Sequence, residues 1–210
     1  FVAHPYGFGG IGHASDLKTF SRTQGEEFFT RYYVAKNLTV GIVGDVTIDG
    51  VRVMADQYFS DLSSADPPPP IDTVEPEQKA ERRVIIEDAA QPFVLVGWHG
   101  PAGTDPAYPA YKALADLLGG GDHARLNKAL VKEQKIATQV QALTGYPGER
   151  YPNLFGILIV PASGQDPAQV EQAVYKVLDE IQASKPFTRD EVAGYQVRIK
   201  AQKIAAAESN

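Results

Sequence analysis

The sequence predicts an α+β fold in which helices cover a mostly antiparallel sheet. Short apolar runs bounded by turn residues, typical of buried strands, alternate with longer stretches of helical periodicity. These two kinds of segment are partly segregated along the chain, a pattern that favours α+β over a regular alternation of strands and helices. With 210 residues, 43% of them hydrophobic, the chain is long enough to bury a full core without disulfides or metal.

Composition excludes several classes of function. The net charge of −6 argues against nucleic acid as the main partner, because phosphate binding needs clustered Lys and Arg. Apolar runs all fall short of the roughly 18–20 residues that cross a bilayer, so we expect no membrane span. The lack of cysteine excludes thiol catalysis and disulfide scaffolds but leaves the compartment open, so a soluble, periplasmic or secreted location is compatible with it.

The first third of the chain predicts a loop, a helix, a strand and a second helix. Residues 1–12 are rich in glycine and aromatic residues and are expected to form a loop. Ser21 and Gln24 have the spacing of a capping box, which predicts that a helix begins there. The apolar run Leu38–Val43 predicts a buried strand, and the i, i+3, i+4, i+7 spacing of apolar residues predicts a helix from 48 to 59.

A proline-rich stretch then interrupts the pattern. Four consecutive prolines at 67–70 favour extended polyproline II geometry. We predict that residues 63–76 are a surface crossover inside one domain covering 21–210, because the residues before it offer a single clear strand and cannot close a core alone. Residues 1–20 are predicted to be a connector from an upstream domain. Since the chain opens with Phe1 rather than Met, we expect it to be part of a larger protein.

The remaining two thirds predict four strands and four helices. Asp166-Pro167 marks a helix start with proline in the first turn, and Thr188 with Glu191 forms a second capping box. The apolar run 154–160 is expected to be the central strand. The predicted strands are 83–87, 92–99, 136–143 and 154–160, and the predicted helices are 108–118, 123–134, one from 167, and one from 189.

Two motifs invite functional interpretations that their context does not support. Gly7–Gly12 matches G-x-G-x-x-G, but only six residues precede it and Pro5 breaks them, so the strand required by a dinucleotide site is missing. The four histidines are scattered at 4, 13, 99 and 123, which excludes the H-x-x-x-H and H-x-x-E-H zinc helices. A site assembled by folding from His99, His123 and Asp122 is conceivable, although such histidines are more often surface residues; we predict no metal site.

Two loops are better candidates for function. Gly119, Gly120 and Gly121 separate two predicted helices, and a single glycine would suffice for a helix end. Three together favour a loop that the backbone of another chain approaches closely. The simpler alternative is a flexible turn followed by Asp122 as the N-cap of the next helix. The segment 146–152, with Tyr146 and Tyr151, predicts an exposed hairpin tip that is most simply a turn.

Several segments together resemble one family, the pitrilysin/insulinase-type zinc metallopeptidases. The helix–turn–strand ending in Val-Gly-Asp45 and the run Leu118-Gly-Gly-Gly-Asp-His-Ala-Arg-Leu126 are similar to family motifs. The connector His4-Pro-Tyr-Gly7 also fits the family pattern. The similarity covers essentially the whole chain. It is specific because the similar segments occur in the same order as in the family: 4–17, 29–45, 118–130, 153–155 and 170–171.

The resemblance implies a non-catalytic domain. In this family, zinc is bound by a His-x-x-Glu-His helix and a downstream Glu in the first domain of the active half, and two homologous halves enclose a chamber. The present chain resembles the following domain and lacks that helix. The Arg/Tyr pair of the partner half would fall at Val131 and Thr138, which cannot bind a substrate carbonyl.

The function implied by the resemblance is a chamber wall and packing surface for peptide hydrolysis performed upstream. The expected partners are the upstream zinc-binding domain, a second homologous half and a peptide substrate contacting Gly119–Gly121. No cofactor is expected in this chain, and zinc is expected in the upstream domain. The alternative is a structural, peptidase-derived scaffold subunit without catalysis. In either case we expect unburied aromatic residues at Phe1, Tyr6 and Phe8 and at the 146–152 tip.

Overall fold

The computed structural model describes residues 1–208, which divide into two units, 1–79 and 80–207. The boundary falls after the proline-rich segment, whereas the sequence predicted a connector over 1–20 and one domain over 21–210. The two units differ in how well their residues are packed. Whether they unfold together as one domain stays a prediction.

The first unit is built from helices and extended segments. The Ser21 hydroxyl accepts from the Gln24 N–H at 3.3 Å and the Gln24 side chain accepts from the Ser21 N–H at 2.9 Å, which confirms the predicted capping box. The helix predicted over 48–59 is also confirmed, with Thr47 as its N-cap. The helices are α1 (Ala14–Thr19), α2 (Arg22–Tyr32) and α3 (Ile48–Phe59), with 3-10 turns at Pro5–Gly7 and Ala35–Asn37.

The prediction of a strand over Leu38–Val43 is wrong, since the structure has no strand at these residues. It is not paired with any strand, and its large side chains are exposed by 47% to 91%. The reason is the lack of a neighbour, because a strand needs the ladder hydrogen bonds of a second strand and none is formed within residues 1–79.

The sheet lies entirely in the second unit. Its three antiparallel strands are β1 (Val94–Gly100), β2 (Ala137–Tyr146) and β3 (Asn153–Pro161), in the order β1-β3-β2. The predicted central position of the apolar strand near 154–160 is therefore confirmed. The strand predicted over 83–87 is wrong, since Val84–Ile86 are unpaired and at least 80% exposed.

Four helical segments accompany the sheet. The helices are α4 (Tyr108–Gly119), a π-helix (Asn127–Glu133), α5 (Pro167–Ala183) and α6 (Arg189–Glu208). Asp166 caps α5 by accepting from the Ala168 N–H at 3.0 Å, and the Thr188–Glu191 capping box at the start of α6 is present, as the sequence predicts.

The core fills the space between the sheet and these helices. Phe155, Ile157 and Ile159 point from β3 to the buried side, as the two-residue period of a strand requires. They meet side chains of α4, the π-helix and α5. The core residues are Ala115, Leu118, Leu126, Leu130, Ala137, Val140, Phe155, Ile157, Ile159, Val170 and Val174.

A salt bridge attaches the start of the second unit to α5. Arg83 donates to both carboxylate oxygens of Glu171, at 2.7 and 2.6 Å, and Glu171 is buried. This contact holds the extended 80–92 segment by its first residues although the following apolar residues are exposed. The Arg83 guanidinium lowers the pKa of Glu171.

Candidate functional site

The glycine run connects the end of α4 to the turn before the π-helix. Gly119 is buried, and a Cβ at this position would lie 2.9 Å from the Ala142 Cβ and from the Gln141 carbonyl carbon. Real Cβ atoms do not approach other atoms this closely. Gly119 therefore allows α4 to lie directly against β2, which is a packing requirement that the sequence does not reveal.

Gly120 and Gly121 are exposed and have different roles in the backbone. The Gly120 N–H donates to the Asp116 carbonyl at 2.8 Å, and a Cβ on Gly120 would lie 2.6 Å from the Asp116 Cα. Gly121 has φ +115, a conformation that favours glycine, and a Cβ there would meet only the His123 ring at 3.7 Å. Gly121 is thus the glycine of the three with open space around it, and contact of the run with a peptide stays a prediction.

The next helix, predicted from 123, begins two residues later, at Arg125. Asp122 is not its N-cap; the Ala124 N–H instead donates to the Gly121 carbonyl at 3.0 Å, and the π-helix begins at Asn127. Asp122 lies 3.3 Å from the Lys132 Nζ. The Asn127 side chain donates to the carbonyls of Gly119 and Val140, so it joins the glycine run to β2.

Two ion pairs flank the glycine run. Before it, Asp116 on α4 accepts a hydrogen bond from Arg198 on α6 and lies 3.5 Å from the His123 Nε2. After it, Arg125 donates to both oxygens of Glu191 at 2.5 and 2.8 Å, and this contact lowers the pKa of Glu191 to about 2. Sequence reasoning missed these residues, because partners 66 and 82 positions apart leave no local spacing signal.

The histidines are dispersed over the structure. His4 is buried and accepts from the Tyr6 N–H through its Nδ1 at 3.1 Å, His13 precedes α1, and His99 lies on β1. Within residues 1–208, no three His, Asp or Glu side chains form a group that could hold a metal ion. His99, His123 and Asp122 are accordingly not assembled into one.

The opening loop is tied down at its start and open at its glycines. The Glu75 carboxylate accepts from the backbone N–H groups of Val2, Ala3 and His4 at 2.6 to 2.9 Å. A Cβ at Gly9 or Gly10 would meet nothing within 4 Å. The six-residue helix α1, rather than a full helix preceded by a strand, follows the G-x-G-x-x-G match, so the βαβ context of a dinucleotide site is not formed.

The expected exposure of aromatic residues is met in part. Phe8 and Tyr146 are exposed, whereas Phe1, Tyr6 and Tyr151 are half-buried, and the rings of Phe1 and Tyr6 lie edge to face 5.8 Å apart. The 146–152 segment connects β2 to β3 as a hairpin loop. Asn153 fixes its base by accepting from the Gly145 N–H at 3.0 Å and donating to the Pro101 carbonyl at 2.7 Å.

Comparison with known proteins gives a consistent result. Residues 19–197 match the family model described as peptidase M16 inactive domain. The chain is 30% identical over 144 residues to a protein named zinc protease PqqE from Helicobacter pylori (strain ATCC 700392 / 26695), an alignment that covers 66% of this chain and 32% of that protein.

Solved structures share the fold. A protease from Helicobacter pylori has a TM-score of 0.90 at 24% identity, over 100% of this chain and 51% of its own. A peptidase M16 inactive domain from Pseudomonas fluorescens has a TM-score of 0.75 at 22% identity, over 94% of this chain and 47% of its own. The chain therefore spans about half the length of these structures and a third of the zinc protease.

In residues 1–208, no helix combines the length and apolar character needed to cross a membrane.

Proposed function

Since the chain belongs to the peptidase M16 inactive domain family, we propose that it is the non-catalytic part of a zinc metallopeptidase, acting as chamber wall and packing surface. Peptide hydrolysis would be performed by an upstream domain carrying the His-x-x-Glu-His motif, where zinc would activate the attacking water. The observation that carries the proposal is the family match over residues 19–197, in a chain that spans only part of its relatives' length.

The first unit supports a packing role through its exposed aromatic residues. On α2 the rings of Phe28 and Tyr32 stack at 4.4 Å, and those of Phe29 and Tyr33 stack at 4.5 Å, while all four side chains remain exposed. Contiguous apolar surface of this kind is rare on monomeric soluble proteins and marks an interaction surface. We assign it to contact with the upstream zinc-binding domain.

The glycine run supports contact with a peptide at Gly120 and Gly121. Exposed glycines let the backbone of another chain come close, and Gly121 has no packing neighbour that would fill the space of a side chain. Gly119 contributes indirectly, because it permits the close packing of α4 on β2 that places the loop. The second homologous half would supply the opposite wall.

A reconstitution experiment tests the proposed division of labour. The purified chain is expected to retain no stoichiometric zinc after dialysis and to cleave no peptide. Mixing it with the separately expressed upstream domain of the same protein is expected to restore cleavage of a fluorogenic peptide. Tightly held zinc in the isolated chain would contradict the proposal. A zinc-free, inactive reconstituted complex would instead support the scaffold alternative.

A matched pair of surface variants tests the packing surface. Phe28→Ser is expected to weaken association with the upstream domain by about tenfold, because large aromatic side chains bury the most apolar area at an interface and a loss of about 1.4 kcal/mol is tenfold in affinity. Val197→Ser, which changes an exposed apolar residue of α6, is the control and should leave association unchanged. Equal effects of the two substitutions would remove the reason for assigning the α2 surface to this partner.

A second matched pair tests peptide contact at the glycine run. Gly121→Ala adds a methyl group to the loop and is expected to lower peptide affinity by about tenfold, the scale of one lost close contact. Gly164→Ala is the control, because Gly164 also has positive φ and open space but lies between β3 and α5. If both variants bind a labelled peptide as the unsubstituted chain does, the contact is not made by Gly121.

A further inference from the structure

Helix α6 carries two charged side chains that face the same side of the helix. Glu191 and Arg198 are seven residues apart, which at 3.6 residues per turn is about two turns and about 10 Å along the axis. Both contribute to contacts with the body of the second unit. The remaining residues of α6 are mostly exposed beyond Arg198, so these contacts are prominent among those that hold the helix.

The partners of these two side chains lie on opposite sides of the glycine run. Arg198 bonds Asp116, three residues before Gly119, and Glu191 bonds Arg125, four residues after Gly121. One helix is therefore joined to the chain just before and just after the same loop. The two ends of the loop are thus attached to points about two turns apart on α6.

The polarity of the pairs determines how α6 lies. The helix presents a carboxylate to Arg125 and a guanidinium to Asp116. The reverse direction would bring Glu191 to Asp116 and Arg198 to Arg125, which places like charges together and is unfavourable. The two complementary pairs therefore favour the observed direction of α6 and its position along its axis.

The side chains of both ion pairs are partly buried. The four side chains are exposed by only 20% to 33%, so solvent screens them less than fully exposed pairs. Arg125 also donates to the Pro186 carbonyl at 3.3 Å and lies over the Phe187 ring at 5.6 Å, which fixes its guanidinium in place.

We propose that α6 is a clamp that holds both ends of the glycine run, with Arg198 and Glu191 as positioning residues for the peptide contact made by Gly120 and Gly121. This inference rests on the proposed function for the peptide contact, but the clamp itself is a property of the chain alone. Releasing one end of the run by removing the Arg198–Asp116 pair would increase the motion of residues 119–124 and lower peptide affinity.

Amide hydrogen exchange on the full chain tests the clamp without any ligand. In Arg198→Gln, amides of residues 120–124 are expected to exchange about tenfold faster, the effect of losing one partly buried ion pair. Arg198→Lys should restore part of the protection, since it keeps the charge. Arg189→Gln, an equal change of charge on the first residue of α6, is the control and should not alter the loop. Unchanged exchange at 120–124 in Arg198→Gln would overturn the proposal.

A second variant covers the case in which Arg198→Gln is poorly folded. Asp116→Asn keeps the shape of the side chain and removes the charge from the other end of the same pair, and it should accelerate exchange in the same residues. Global unfolding caused by both variants would also contradict the clamp, because the pair would then support the whole unit rather than the loop.

Peptide titration separates the clamp from the proposed function. The probe is a fluorescein-labelled unstructured peptide of about 20 residues, followed by anisotropy. Arg198→Gln is expected to weaken its binding by three- to tenfold and Arg189→Gln to leave it unchanged. If the unsubstituted chain does not bind the peptide, the proposed contact fails while the exchange experiment still decides the clamp. If binding is unaffected by Arg198→Gln although the loop exchanges faster, the clamp exists but does not position the contact.

Discussion

The two units of this chain use similar apolar sequences with opposite results. In the second unit, the apolar runs at 94–100 and 153–161 pair in a sheet and bury a cluster that includes Leu126, Leu130 and Ile157. In the first unit, Leu38–Val43 has the same apolar character but no strand partner among residues 1–79, and its side chains are exposed. Burial therefore depends on a neighbour that pairs with the run, and apolar sequence by itself does not provide one.

Unfolding of the whole chain offers the broadest test of this comparison. Trp98, the single tryptophan, lies on β1 and reports on the second unit, whereas far-ultraviolet circular dichroism reports on helices of both. We expect one cooperative transition in urea, because the first unit has no sheet with which to build an independent core. Two separate sigmoidal transitions would show that the units are independent domains, contrary to the single domain predicted over 21–210.

Matched isoleucine substitutions should give the largest difference between the two units in the free energy of unfolding. Ile157→Ala removes a fully buried side chain and is expected to lower the free energy of unfolding by about 3 kcal/mol, from lost burial and the cavity left behind. Ile42→Ala removes a half-exposed side chain and should lower it by less than about 1 kcal/mol. Both values come from urea unfolding followed at Trp98 and by circular dichroism. Similar losses would mean that Ile42 is buried in solution.

Acid pH should destabilise the second unit through Glu191. Arg125 lowers the pKa of Glu191 from its ordinary value of 4.5 to about 2. A carboxyl whose pKa is lower in the folded state contributes stability above the unfolded value and loses it as the pH falls from about 4.5 to about 2. We expect the unsubstituted chain to lose about 2 kcal/mol more over this range than Glu191→Gln, measured by urea unfolding at each pH.

Glu75 is the matching carboxyl in the first unit. Partial desolvation raises its pKa, but the N–H groups of His4, Ala3 and Val2 outweigh this and lower it to about 2. Because it orders an exposed loop, Glu75→Gln should increase amide exchange at residues 2–4 without changing unfolding detected at Trp98. A shift of the Trp98 transition would link the loop to the core of the second unit.

Removing one helix cap in each unit should give the smallest difference between the units in the free energy of unfolding. Asp166→Ala removes the N-cap of α5, whose buried side chains belong to the core, and should lower the free energy of unfolding by about 1 kcal/mol. Ser21→Ala removes the capping box of α2, in which no residue is buried, and should lower the free energy of unfolding by less, about 0.5 kcal/mol, because an exposed helix end can fray locally. Equal losses would mean that α2 is held as firmly as α5.

Local sequence signals determined the helices and the central strand of this protein. Ser21 with Gln24, Asp166 before Pro167, and Thr188 with Glu191 mark helix starts that the structure contains, because capping bonds join residues two or three apart and are therefore visible as spacing. The apolar run in β3 identified the central strand for a similar reason, since a strand with no exposed residue on either face reads as continuous apolar sequence. The resemblance to the family was visible in the sequence as well, because its motifs are short segments that occur in a fixed order.

Only the tertiary structure decided which apolar runs became strands and what surrounds the glycine run. Leu38–Val43 and Val84–Ile86 read as strands, but strand formation requires hydrogen-bonding partners that lie elsewhere in the chain or outside it. The need for glycine at 119 comes from the backbone of β2, and the pairs Asp116–Arg198 and Arg125–Glu191 join residues far apart in sequence. These contacts depend on distances through space, which the order of amino acids does not show until the helices and strands are packed.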